Sequence, residues 1–179
     1  MFLIFIGYSL LTEILGFVFG VFLRINNHFI YNSWKLLNQF FYIFFFLSKL
    51  KSPFKRIFLK VILVLLGVYA LIEISFFTNF LTHPLINYSI IGRFVMVLSV
   101  LMYFHEVLKS DEVLKLRNSM FYWIGLGVLL YNIGFIPVYV IAELISFGAA
   151  FRIITLVLNL IMVSCFITGF IVSKKEFNN

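Results

Sequence analysis

The chain has few side chains that could do chemistry, and the most conspicuous is a carboxylate inside an apolar run. Glu13 lies in the middle of GYSLLTEILGFVFG, residues 7–20. A charge facing lipid at the bilayer centre costs at least about 2.5 kcal/mol, so an intramembrane acid is by default a candidate functional site. Helical spacing places four residues on one face: Ser9, Glu13, Gly16 and Gly20. The two glycines form a G-x-x-x-G pair that lets another helix approach, so we predict that Glu13 is turned inward.

The next apolar segment supplies polar side chains that could meet this carboxylate. They recur at helical spacing as a continuous stripe: Asn27, Tyr31, Lys35, Asn38 and Tyr42. At a rise of 1.5 Å per residue, Glu13 lies roughly 15 Å below the end of its helix, and Asn38 lies about as far below the start of the next. We therefore predict that Glu13 and Asn38 share one depth and form a hydrogen bond, with Gln39 as the substitute partner.

Two further amides extend this site in the sequence. Asn132 lies near the middle of the fifth predicted helix and Asn159 near the middle of the sixth. We predict a cluster of Glu13, Asn38, Asn132 and Asn159 at the bilayer midplane. The alternative interpretation is that the amides are packing contacts, which average about 0.6 kcal/mol each in membrane helices.

A second set of charges falls near the outer ends of the predicted helices. Its members are Lys35, Glu73, Arg93, Glu143 and Arg152. Two acids and three bases at one level predict paired charges around an outward vestibule. Alternatively, the three basic side chains extend to the interface independently.

Other chemistry is not indicated. The histidines, His28, His83 and His105, fall near connections or helix ends, and HEVLK at 105 lacks the second histidine of a zinc-protease motif. The single cysteine, Cys165, lies inside an apolar run. We predict no catalytic residues, no metal site and no cofactor.

Composition indicates where these residues are placed. The 179 residues have a mean hydropathy of +1.10 and only 12% are charged, compared with about 25% in soluble domains. We predict one all-α integral membrane domain over 1–179, a six-helix transmembrane bundle with short loops. The predicted spans are about 2–23, 29–48, 57–78, 85–108, 121–141 and 148–172.

Charge distribution gives the orientation and the partners. Ten basic residues fall on the side that holds both termini, against four on the other side, so the positive-inside rule predicts cytoplasmic termini. Because the net charge of +7 comes from residues at the ends of apolar runs, it indicates a lipid bilayer rather than nucleic acid. A homo-oligomer or a membrane or cytoplasmic protein partner is compatible with this arrangement.

Two stretches give the chain a resemblance to known proteins. They are NNHFIYNSW, with its core at 27–34, and FYWIGLGVLLYNIG at 121–134. The chain resembles a loosely defined group of small multi-pass membrane proteins of Bacteroidetes-type bacteria. The matching residues are Glu13, Asn27, Tyr31, Trp123, Ile124, Gly127, Tyr131 and Gly134, while Tyr122 departs from the pattern. The resemblance implies a six-span bundle and no particular activity.

Three functions fit these observations. The first is a non-enzymatic sensing or accessory subunit of a bacterial inner membrane, with a polar site at the midplane and a basic cytoplasmic face. The second is an oligomeric ion or proton channel, or a small-solute transporter, with Glu13 on the path. An intramembrane enzyme comes last, because no nucleophile–base pair or metal-ligand set is visible in the sequence.

Overall fold

The computed structural model describes residues 2–110, 116–144 and 148–173, and within these residues it contains six long helices and no strand. The helices are α1 Phe2–Phe17, α2 His28–Leu47, α3 Pro53–Ile72, α4 Ile86–Leu108, α5 Met120–Leu144 and α6 Gly148–Val172. Two of them continue as short π-helices, α1 into Val18–Phe22 and α3 into Glu73–Phe77. The all-helical architecture is confirmed, with helix bounds within a few residues of the prediction.

Contacts along the bundle fix the direction of each helix. Asn32 near the start of α2 contacts Leu85 just before α4, and Phe46 near the end of α2 contacts Tyr103 near the end of α4. These two helices therefore run in the same direction. The neighbours α1–α2, α3–α4, α4–α5 and α5–α6 pack in antiparallel pairs, as their connections require.

The two ends of the bundle carry different connections. We call the end that holds residues 23–27 and 78–85 the distal end. The opposite end, which holds residues 48–52, 109–110 and 116–119, is called the basic end. Phe2 at the start of α1 and Phe170 near the end of α6 both lie at the basic end, and their rings are in contact.

Five of the six helices are long and apolar enough to span a membrane, which indicates a membrane protein. These five spans are Phe2–Phe22, Pro53–Phe77, Ile86–Leu108, Met120–Val138 and Phe151–Val172. The prediction of six apolar spans is therefore confirmed for five helices. α2 is not among them, because the polar stripe from Tyr31 to Tyr42 lowers its hydropathy. Yet α2 runs the length of the bundle in contact with α1, α3 and α4, so its polar side chains lie against protein.

Glycines let the last two helices pack closely along their whole length. A Cβ on Gly127 would lie 3.0 Å from the Cβ of Cys165, and a Cβ on Gly169 would lie 2.9 Å from the Cβ of Trp123. Neither position has room for a side chain. The α5 and α6 helices are therefore closely packed at these positions.

Candidate functional site

Three helices meet at Phe2 near the basic end. The Phe2 ring contacts Tyr42 and Phe45 of α2, with centroid distances of 6.4 and 5.6 Å. It also contacts Phe166 and Phe170 of α6, at 5.2 and 6.1 Å. These contacts show which face each helix turns toward the other two.

Toward the distal end the same three faces become polar. By helical spacing, the polar residues on them are Ser9 and Glu13 of α1, Tyr31, Lys35 and Asn38 of α2, and Arg152, Thr155 and Asn159 of α6. Beyond the contacts of Phe2, the described parts of α1 and α6 share no extended packing. We call the region between these faces of α1 and α6 the α1–α6 cleft. Along it Glu13 and Arg152 are exposed, and Asn38 and Asn159 are partly buried.

Glu13 has a hydrogen-bond donor on α2. The Tyr31 hydroxyl donates to Glu13 Oε2 over a long distance of 3.5 Å. Gly16 provides the space for this tyrosine, since a Cβ there would lie 2.5 Å from Tyr31 Oη. Asn27 Nδ2 donates to the Gly16 carbonyl at 2.9 Å and fills the space beside Gly20. Both glycines thus lie where α2 begins to pack on α1.

The predicted hydrogen bond between Glu13 and Asn38 is wrong. Trp34 Nε1 donates to Ser9 Oγ at 3.2 Å, and this register places Asn38 about two helical turns nearer the basic end than Glu13. The prediction assumed that α2 starts level with the end of α1. Instead, residues 23–27 fold back beside α1, so α2 starts alongside it.

The amides themselves do lie at one level. The residues at this level are Asn38 and Gln39 in α2, Arg93 in α4, Asn132 in α5 and Asn159 in α6. Gln39 packs on α4 one residue before Arg93, and Arg93 Nη1 donates to Asn132 Oδ1 at 3.1 Å. α6 packs on α5 through Leu158, one residue before Asn159.

These amides are not bonded to one another. Asn132 and Asn159 each donate to the carbonyl one turn earlier in their own helix, at 2.7 and 3.0 Å. Gln39 donates to the Ser89 carbonyl at 3.1 Å. The predicted midplane cluster of Glu13 with three amides is therefore not formed, and the described contacts of the amides are packing contacts.

Arg152 and Glu13 both lie nearer the distal end than the amides. Arg152 is seven residues nearer the distal end than Asn159, or about two turns, and Glu13 is displaced from Asn38 by about the same amount. Glu13 lies in the middle of the apolar span Phe2–Phe22, and Arg152 lies at the start of the span Phe151–Val172.

Glu73 does not pair with a base, so the prediction of paired outer charges is wrong for this residue. Its carboxylate is 1% exposed, and Oε2 accepts a hydrogen bond from the Tyr88 backbone N–H at 2.7 Å. That N–H belongs to the first turn of α4, where donors have no partner within the helix. The guanidinium of Arg93 instead packs against α5, 4.0 Å from the ring centroid of Phe135.

The other members of the predicted outer layer have separate surroundings. Lys35 is partly buried on the cleft face of α2, and Arg152 is exposed on α6. Glu143 lies in α5, but its side chain is outside the described part of the structure.

A buried asparagine that sequence reasoning missed organises the distal end. Asn32 Nδ2 donates to the carbonyls of Phe80 and His83, both at 2.8 Å, and its Oδ1 accepts from the Leu85 N–H at 3.1 Å. It therefore fixes the α3–α4 connection on α2. The only signal in the sequence was its place in the Asn-rich start of α2.

A carboxylate has the corresponding role at the basic end. Glu106 accepts from the backbone N–H groups of Lys51 at 2.7 Å and Ser52 at 3.2 Å, and it forms an ion pair with Lys55 at 3.4 Å. Lys55 also contacts His105 Nδ1 at 2.8 Å. Around this contact lie five exposed cations: Lys51, Arg56, Lys60, Lys109 and Arg117.

Within the described residues, no group of three His, Cys, Asp or Glu side chains could hold a metal ion. No protein family, no curated protein and no solved structure matches this chain. The fold and the site alone therefore define its class. Its described residues form an all-helical bundle, and five of the helices have the length and composition of membrane spans, which indicates a membrane protein.

Proposed function

We propose that this is a non-enzymatic, multi-pass protein of a bacterial inner membrane, a sensing or accessory subunit. It binds a small polar ligand or a proton in the α1–α6 cleft and acts on a partner at its basic end. The observation that carries the proposal is the pair of exposed, opposite charges, Glu13 and Arg152, in two apolar helices whose other ends meet at Phe2. An exposed acid in an apolar span is costly unless something binds it.

The contents of the cleft suit binding. A carboxylate, a guanidinium, a phenol hydroxyl and amides orient polar groups through charge-assisted and neutral hydrogen bonds. The Tyr31–Glu13 bond is long, so a better donor can replace it at little cost.

The fold offers a route from the cleft to the basic end. The aromatic contacts of Phe2 close the lower end of the cleft by joining α1, α2 and α6. α2 then continues into residues 48–52, which Glu106 holds through two backbone hydrogen bonds. A ligand that draws α1 toward α6 would therefore shift contacts that lead to the exposed cations. The closure by Phe2 also favours a sensor over a channel, because it blocks the cleft before the basic end.

The test compares wild-type protein with Glu13→Gln and with Ser164→Ala, which changes an exposed residue of α6 away from the cleft. The variants are reconstituted in liposomes, where proton and ion flux is measured. Amide hydrogen exchange of residues 48–52 is followed in the same preparations. We expect no flux from any protein, and altered exchange in Glu13→Gln only. Flux that Glu13→Gln abolishes would identify a channel or transporter instead. Unchanged exchange in Glu13→Gln would contradict the proposal.

A further inference from the structure

We propose that an anionic phospholipid binds along the border between α2 and α3, on a different side of α2 from the α1–α6 cleft. Its phosphate binds the side chains of Arg56 and Lys60 at the basic end. An acyl chain lies along apolar side chains of both helices toward the centre of the bundle. We call this border the α2–α3 groove. The site is independent of the cleft, so the proposed function does not depend on it.

One face of α3 carries both cations and borders α2. Arg56, Lys60 and Gly67 are separated by four and seven residues, so helical spacing places them on the same face. A Cβ on Gly67 would lie 3.3 Å from the Phe40 ring, which shows that this glycine packs directly on α2. The two cations therefore lie along the same border with α2, nearer the basic end than this contact.

The two cations lie at the level of lipid headgroups. The short connection at residues 48–52 makes α2 and α3 antiparallel, and the contact between Phe40 and Gly67 gives their register. By this register Lys60 is about level with the end of α2, and Arg56 is about one turn further out. The apolar span of α3 begins at Pro53, so both cations lie in its first two turns. In a bilayer matched to this span, their long side chains reach the interface.

Positive charge is in excess at this end of the groove. Arg56 and Lys60 are exposed, and neither has an ion-pair partner among the described residues. The nearby carboxylate of Glu106 is already in an ion pair with Lys55, and it accepts two backbone N–H groups of the 48–52 connection. Residues four apart on a helix are neighbours, so one phosphate can contact both cations. A guanidinium binds phosphate through two parallel hydrogen bonds.

Nearer the bundle centre, the groove is apolar. The exposed residues that follow the same helical spacing are Leu37 and Phe44 of α2, and Val64 and Leu71 of α3. The glycine between the last two leaves the floor of the groove without a side chain of α3. An acidic protein segment in water would cover the cations and leave these apolar residues uncovered. A phospholipid has a phosphate for the cations and an acyl chain for the apolar residues.

The charge of the headgroup predicts which lipid binds best. Phosphatidylglycerol carries a net negative charge and no cation, so its phosphate can approach Arg56 and Lys60 without repulsion. Phosphatidylethanolamine and phosphatidylcholine have the same phosphate, but each carries an ammonium group that the two side chains repel. We therefore expect phosphatidylglycerol to bind more tightly than either zwitterionic lipid.

The experiment places the full chain in phosphatidylcholine nanodiscs that contain either phosphatidylglycerol or phosphatidylethanolamine, and native mass spectrometry counts the lipids retained. The groove variants are Arg56→Gln, Lys60→Gln and the double variant. The matched control is Arg117→Gln, which removes an exposed cation of the same end just before α5. Tryptophan fluorescence checks that every variant is folded. A further variant, Lys60→Arg, keeps the charge.

We expect the wild type, Arg117→Gln and Lys60→Arg to retain phosphatidylglycerol in preference to phosphatidylethanolamine. Each single groove variant should bind phosphatidylglycerol about fivefold more weakly, and the double variant about thirtyfold more weakly, because each basic side chain contributes separately to anionic lipid binding.

An equal loss of phosphatidylglycerol in Arg117→Gln overturns the site, because the lipid would then respond only to the total charge of the basic end. Equal retention of the two lipids by the wild type also overturns it. A soluble polyglutamate peptide that binds through Arg56 and Lys60, without any lipid preference, would assign these cations to an acidic protein instead. None of these outcomes affects the cleft, which Glu13→Gln tests separately.

Discussion

Replacing Asn32 with alanine should destabilise the protein more than replacing any neighbouring polar residue of α2. Its side chain is fully buried and makes three hydrogen bonds that hold residues 80–85 on the helix. Such bonds average about 0.6 kcal/mol in membrane helices and about 1 kcal/mol in soluble proteins. Three of them give a loss of about 2–3 kcal/mol in the free energy of unfolding. For a chain of this length, this corresponds to a decrease in Tm of roughly 5–10 °C.

The assay is thermal unfolding in detergent, followed by tryptophan fluorescence, with Asn26→Ala as the matched control. Asn26 is exposed; it donates one long hydrogen bond, 3.3 Å, to the Thr82 carbonyl of the same connection, and it accepts one from the His28 N–H at 2.9 Å. Because both bonds are exposed to solvent, its replacement should change the stability by no more than about 1 kcal/mol. Equal Tm values for the two variants would refute the assignment of Asn32 as the residue that fixes this connection.

Other substitutions test the helix contacts and the basic end. Glu106→Gln should lower the free energy of unfolding by about 1 kcal/mol, because two backbone N–H groups and Lys55 lose a charged acceptor. Chemical denaturation measures this loss, and an unchanged stability would contradict the prediction. Gly127→Leu should cost about 1–3 kcal/mol through overpacking, since a Cβ there already lies 3.0 Å from Cys165. The control is Gly7→Leu, which should leave the Tm unchanged because nothing lies within 4 Å of the added Cβ. Equal effects of Gly127→Leu and Gly7→Leu would show that α5 and α6 are not closely packed.

The helices were predictable because their signal is local. Apolar runs of about 20 residues, broken by short polar connections, specify helices of membrane length without any knowledge of tertiary contacts. The exception is α2. Its stripe of polar side chains was predicted, but the effect of this stripe on the hydropathy of the helix was not taken into account. Its polar residues are accommodated because α1, α3 and α4 surround it.

The predicted hydrogen bond between Glu13 and Asn38 was wrong because it depended on a register. Counting residues from the α1–α2 connection assumes that the two helices end and begin at the same height. The structure departs from this assumption, since Asn27 reaches back to the Gly16 carbonyl. A displacement of about two turns then moves Glu13 away from the amides and toward the distal end.

The partners of buried polar groups were equally hard to predict. Glu73 binds a backbone N–H of α4, and Asn32 binds backbone groups about 50 residues away. Backbone donors and acceptors occur in every residue, so the sequence has no pattern that marks them. We expected the acids to pair with bases, but the Glu73 carboxylate accepts a hydrogen bond from a backbone N–H in the first turn of α4 instead.

The most direct test of the account is a pair of distances across the cleft, measured by pulsed electron paramagnetic resonance in a Cys165→Ala background. One sample carries spin labels at positions 13 and 152, and the other at positions 13 and 163, where Val163 is exposed at the edge of the cleft. Positions 152 and 163 lie roughly 16 Å apart along α6. The account predicts that the distance from 13 to 152 is clearly the shorter one. A distance from 13 to 163 that is equal or shorter would contradict the account.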